Sequence, residues 1–233
     1  RLMDAHRFPL KSEKLVFMHV AERSAPLEIN FQPSNETHVS LPMDFPLADS
    51  FYRAAGFGTE FGPFQGTHMY VDPAGGGQNG DETAYAVTRF LAGRVFLVDV
   101  GGVPGGLGED SLRALTDIAA QWKPYKIDVE KNFGNGALAS VWRPMLLRQH
   151  SCDIEDIWET GQKELRIIDV LEPVIGSNRL VVDEGLMEKD WDTTRGYPVE
   201  QRPSYSFFYQ LSRITREKGA LIHDDRIDAV AGS

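Results

Sequence analysis

Three aspartates, Asp224, Asp225 and Asp228, fall within one turn of a helix predicted over residues 223–231. Residues three and four apart share a helix face, so Asp228 stands beside Asp225 or Asp224 with like charge against like charge. Ile222, Ile227, Val230 and Ala231 flank them, which predicts that this face packs against a core. Half-buried carboxylates short of nearby Lys or Arg need another cation, and a divalent metal ion is the most compact one. Two more carboxylates close apolar runs upstream. Asp72 follows Met69-Tyr70-Val71 and precedes the glycine-rich stretch Pro73–Gly80, while Glu130 follows Ile127-Asp128-Val129 and precedes Lys131–Gly136. Both read as strand, carboxylate, tight turn. Glycine behind a strand-end carboxylate leaves it open to a metal ion and a phosphate.

The elements that must position these acids are legible mainly after residue 66. Residues 1–66 are proline-rich (Pro9, Pro26, Pro33, Pro42, Pro46, Pro63) with one strand around Lys14–Val20, and read as a linker or extended arm. From Thr67 the pattern gives strands at 67–72, 83–91 and 94–100, then an amphipathic helix at 110–122 stopped by Pro124. A strand at 126–130, a helix at 135–149 that Pro144 should kink, a helix at 161–175 and a strand at 179–182 follow. Residues 184–203 read as a polar loop, Cys152–Glu159 as a solvated acidic loop, and helices at 204–216 and 223–231 complete the pattern.

Composition narrows the class. With 42% hydrophobic residues in 233, the chain can bury a full core. The single cysteine, Cys152, excludes a disulfide framework and a cysteine zinc site. No apolar run approaches the ~18 residues of a membrane helix and no signal peptide is recognisable, so a soluble, cytoplasmic protein is expected. Arg1 at the start and Ser233 directly after a helix suggest a piece of a longer protein. A net charge of −10 argues against a tight independent grip on nucleic acid, which would fall to local groups such as Lys131, Arg143, Arg148, Lys163, Arg213, Arg216 and Lys218. Gly75-Gly76-Gly77 lacks the spacing and following helix of a dinucleotide site. The aromatic run Tyr205–Tyr209 reads as core before it reads as a base-stacking platform.

Three strands, helix, strand, helix, strand, helix is the order of the ribonuclease H-like fold, an α/β architecture with a mixed sheet flanked by helices. There the first and fourth strands are neighbours, which would bring Asp72 and Glu130 together. The runs Met69–Ala84, Val129–Gly134 and His223–Ala229 resemble the large terminase subunit of short-tailed double-stranded DNA phages, over residues 67–233 and more weakly in the arm. In that family an ATPase drives packaging and a C-terminal nuclease of the RuvC/terminase type cuts concatemeric DNA. No Gly-x-x-x-x-Gly-Lys-Ser/Thr occurs, so the likeness is to the nuclease domain alone, preceded by the interdomain segment.

The resemblance implies a metal-dependent DNA endonuclease using two Mg²⁺ or Mn²⁺ ions, with Asp72, Glu130 and Asp225 as the catalytic acids. Asp228 matches the acid of related RuvC-type resolvases, Asp224 and His223 are neighbouring or alternative ligands, and Asp81, across the glycine loop, is either a further ligand or a loop cap. His223 reads as a helix-start hydrogen-bonding partner of the aspartates before it reads as a proton shuttle. The implied partners are double-stranded DNA, the terminase ATPase domain, the small terminase subunit and the procapsid portal, in the cytoplasm of an infected bacterium. A Holliday-junction resolvase and a non-catalytic docking module of the packaging motor are the alternative readings.

Overall fold

The computed structural model describes residues 7–32, 41, 42, 44–46, 51–73, 82–106, 108–131 and 136–233. In chain order it contains β1 (Val16–Met18), β2 (Ser24–Pro26), β3 (Ile29–Phe31), β4 (Ala54–Phe57), β5 (Phe61–Pro63), β6 (Gly66–Asp72), β7 (Thr83–Leu91) and β8 (Arg94–Val103). Then come α1 (Glu109–Trp122), β9 (Lys126–Glu130), α2 (Ala137–Leu146), β10 (Asp153–Ile157), α3 (Lys163–Gly176) and β11 (Leu180–Asp183). Helices α4 (Leu186–Thr193), α5 (Arg202–Tyr205), α6 (Phe207–Arg213) and α7 (Asp225–Gly232) follow. Among the described residues no helix is long and apolar enough to cross a membrane.

One seven-stranded sheet, in the order β1-β11-β8-β7-β6-β9-β10, organises the molecule. The expected meander is present: β6 pairs antiparallel with β7, and β7 with β8. Ala92 and Gly93, both at positive φ, make the tight turn between β7 and β8. β9 then returns parallel to β6, with Met69 beside Ile127 and Val71 beside Val129. Because side chains alternate across a strand, Met69, Val71, Ile127 and Val129 enter one apolar layer, shared with α1 and α2. Tyr70 enters the other, shared with α3, α6 and α7, and Asp72 and Glu130 share its face.

Several elements depart from the sequence reading. Cys152–Glu159 is not a loop: Asp153–Ile157 forms the edge strand β10, parallel to β9. Its exposed acids hid the period, and charge along an edge strand also discourages pairing with another chain. Residues 184–203 are not a loop either, since they hold α4 and the start of α5. Helix α4 buries Leu186, Met187, Asp190 and Trp191 on one face, and the buried acid broke the apolar pattern. The strand expected at 179–182 is β11, shifted by one residue, and it pairs parallel with β8. The helix expected at 204–216 divides at Ser206 into α5 and α6. The arm's strand is shorter than expected, Val16–Met18, and is part of the main sheet as the neighbour of β11. Leu10, Leu15, Phe17 and Phe51 from the same segment lie in the core.

Candidate metal centre

Strand geometry alone carries two acids to one place. Asp72 ends β6 and Glu130 ends the adjacent parallel strand β9, so both carboxylates emerge at the same edge and on the same face. Helix α7 crosses that face and lowers Asp228 onto them. Oxygens of Asp72, Glu130 and Asp228 all lie within 4.8 Å of one another, and all three residues are buried. The ring of Tyr70 leaves no room for a β-carbon at position 232, so Gly232 is what lets the end of α7 come down on β6.

The last helix is held in register by groups the sequence reading did not single out. Arg226, fully buried between Asp225 and Asp228, makes a two-pronged ion pair with Glu82 and a second with Asp190 Oδ1 at 2.7 Å. Glu82 also accepts from Tyr197 Oη at 2.9 Å. Asp190 accepts from Ser206 Oγ at 2.7 Å and from Phe207 N at 3.1 Å, which ties α4 to the first turn of α6. Gln210 on α6 takes the otherwise orphaned Ile227 N–H at 2.9 Å. An arginine inside a run of aspartates was the available signal: on an apolar helix face it needs buried acids elsewhere.

A lysine stands among the acids. Lys163 Nζ, from the first residue of α3, lies 3.2 Å from Asp72, 2.8 Å from Asp224, 3.4 Å from Asp225 and 3.2 Å from Asp228. Burial works against its charge, but Asp72, Asp228, Asp224 and Asp225 outweigh it and raise its pKa well above the lysine range. Arg166, one helical turn on, reaches Asp228 Oδ2 at 3.0 Å and Glu159 at 3.2 Å. Tyr70 Oη donates to Glu130 Oε2 at 3.3 Å. Even so, the carboxylates repel. Burial and then the charges of Glu130, Asp225 and Asp228 lift Asp72 well above the usual range, against the pull of Lys163. Burial and Asp228 raise Glu130, and burial raises Asp228 against Lys163 and Arg166.

The donor set suits a hard divalent cation. Three buried carboxylates converge, and Asp228 Oδ1 is buried with no hydrogen-bond partner among the described residues. Carboxylate oxygen is the ligand such ions take, and an orphaned buried oxygen is what a metal ion would satisfy.

The sequence-predicted residues therefore divide. Asp72, Glu130 and Asp228 converge; Asp225 and Asp224 stand at the rim, each about 22% exposed and joined to the others through Lys163. His223 stacks on Tyr205 at 4.0 Å, and Tyr205 on Tyr197 at 3.7 Å. Asp81 lies outside the described residues. Of the basic groups expected to grip DNA, Lys163 instead serves the acids, Arg216 pairs with Asp169 and Glu172, and Arg143 Nη2 donates to Ile154 O. The buried Phe207 and Phe208 confirm the aromatic run as core.

A family model described as the ribonuclease H-like domain of the bacteriophage T7 terminase matches residues 71–180. The chain is 36% identical over 229 residues to the large terminase subunit of Enterobacteria phage T3, covering 98% of this chain and 39% of that protein. It therefore spans about two fifths of the length of that relative. The human cytomegalovirus terminase nuclease domain superposes with a TM-score of 0.50 at 16% identity, covering 71% of this chain and 80% of that one. That likeness concerns the fold.

Proposed function

We infer the function from the premise that this chain carries a terminase ribonuclease H-like domain. It is a metal-dependent endonuclease that hydrolyses phosphodiester bonds in concatemeric double-stranded viral DNA during genome packaging, in the cytoplasm of the infected host. The convergence of Asp72, Glu130 and Asp228, with Asp228 Oδ1 buried and without a hydrogen-bond partner among the described residues, is the observation that carries this reading.

Asp72, Glu130 and Asp228 would hold two Mg²⁺ or Mn²⁺ ions, with Asp224 and Asp225 offering further oxygens at the rim. Bound there, such ions supply Lewis acidity toward the phosphate, activation of water and charge stabilisation at the leaving 3′ oxygen. The chain's own groups prepare the place. Tyr70 orients Glu130 through its hydroxyl. Arg166 holds Asp228 by Oδ2, which leaves the buried Oδ1 available as a ligand. Lys163 balances the carboxylates while they are without metal, so the cluster survives folding. No nucleophilic side chain is required. The ATPase domain, the small terminase subunit and the portal are the partners this role implies, and they belong to the proposal.

Plasmid DNA tests the reading. The chain should nick and linearise it with little sequence preference in Mg²⁺ or Mn²⁺, and EDTA should stop the reaction. Asp72→Asn, Glu130→Gln and Asp228→Asn should each abolish cleavage and Mn²⁺ binding while far-UV circular dichroism stays native. Asp225→Asn ranks the rim acid that the family resemblance favours against Asp228. If Asp72→Asn and Glu130→Gln cleave at the unaltered rate in saturating metal, the site assignment is wrong and a non-catalytic docking role becomes the better reading.

A further inference from the structure

A cavity of about 740 Å³ opens beside the acidic cluster, bordered by Arg7, Phe8, Arg213, Gly219 and His223. Two of its lining residues connect it to the candidate metal centre. His223 immediately precedes Asp224, whose carboxylate meets Lys163. Gly219 donates its N–H to Glu164, the residue after Lys163. The cavity therefore lies against the starts of both helices, α3 and α7, that bring charge to the triad.

Two of its lining residues are arginines placed together. Acids outnumber Lys and Arg 34 to 24, yet Arg7 and Arg213 place both guanidinium groups on the single ring of Phe8, each 5.5 Å from its centroid. Each contact is a cation–π attraction between guanidinium and ring. Glu200 and Glu217 also border the cavity, but no ion pair among the described residues joins either arginine to a carboxylate. A phosphate lying between the two guanidinium groups would relieve their mutual repulsion. The guanidinium fork matches phosphate oxygens in pairs.

We propose that this cavity is a DNA-backbone site: Arg7 and Arg213 hold phosphates of the duplex whose scissile bond lies at Asp72, Glu130 and Asp228. The proposal rests on the nuclease reading above and extends it to the substrate's path. It gives the acidic chain a localised grip in place of a diffuse basic surface.

Salt dependence tests it, because each phosphate neutralised contributes about 0.9 to the slope of log K against log salt on duplex DNA. Binding of a short fluorescent duplex is titrated against NaCl in EDTA for the unaltered chain, Arg7→Gln, Arg213→Gln and the double variant. Each substitution should flatten the slope by about 0.9, and the double variant by about twice that. Arg213→Lys, which keeps the charge, should keep the slope. Arg113→Gln, on α1 in the opposite layer, should leave it unchanged. Native circular dichroism of each variant excludes misfolding, and Arg7 is exposed, so its replacement perturbs little. An unaltered slope in the double variant, an equal flattening by Arg113→Gln, or no duplex binding at the lowest salt overturns the proposal. Because binding is read without metal, a chain that never cleaves plasmid refutes the nuclease reading, whereas an unaltered slope refutes this contact alone.

Discussion

Removing the charge of Arg226 should cost this protein a large part of its stability. The guanidinium and its two acids are almost wholly buried, with side-chain exposures of 0% for Arg226, 2% for Glu82 and 0% for Asp190. Arg226→Met keeps an apolar stem but strands two carboxylates in the interior. Deleting one partner of a buried ion pair typically costs about 3–5 kcal/mol, because the charge left behind is neither hydrated nor paired. Tyr197, Ser206 and the Phe207 N–H still bond the stranded acids, which places the expected loss toward the lower end of that range. For a domain of this size each kcal/mol moves the midpoint by about 2–4 °C, so at about 3 kcal/mol thermal melts in EDTA should fall by roughly 6–12 °C. Mn²⁺ binding should weaken in parallel, because α7 carries Asp228. Adding Glu82→Gln and Asp190→Asn to Arg226→Met removes the stranded charges and should recover much of the loss. A drop under about 2 °C for Arg226→Met, or a triple variant no more stable than the single one, would refute the argument from buried charge.

Lys163→Met leaves four carboxylates without their shared cation, so the metal-free melting point should fall and the stabilisation on adding Mn²⁺ should exceed that of the unaltered chain; an equal Mn²⁺ shift would show that Lys163 does not balance the cluster. The pH dependence of Asp72 has a definite sign. Its folded pKa lies above the unfolded aspartate value near about 3.9, so between the two the folded state binds the extra proton, and this group's contribution to stability declines as pH rises through the raised value. Asp72→Asn should therefore gain on the unaltered metal-free chain as pH rises through that window, and the gain should vanish in acid. Melts in EDTA from acid to neutral pH check this, and a gain that grows toward acid would contradict it.

How much of this was legible depended on the range of the interaction. The period of two in Met69–Asp72 and Ile127–Glu130 fixes strand ends and the carboxylates on them, and a local pattern suffices because alternation is a property of the backbone. The meander and the amphipathic α1 followed in the same way. Edge strand β10 and helix α4 did not, since an acidic exposed row and a buried Asp190 each disturb the apolar pattern that marks an element.

Residue types and spacing alone pointed to carboxylates at Asp72, Glu130 and the Asp224–Asp228 turn that need a common cation. Which aspartate of that turn joins the triad was decided only by tertiary structure. A helix offers 224, 225 and 228 on nearly one face, and rotating it by a fraction of a turn exchanges them. The rotation is set from outside the helix: by Arg226 reaching Glu82 on the approach to β7 and Asp190 on α4, by Gln210 capping Ile227, and by Gly232 settling on Tyr70. Those partners lie 144, 36 and 17 residues away for Glu82, Asp190 and Gln210, a range at which no local periodicity carries information. The same holds for Lys163, a surface-type residue by composition that sits 31% exposed among four acids because α3 begins beside the ends of β6 and α7.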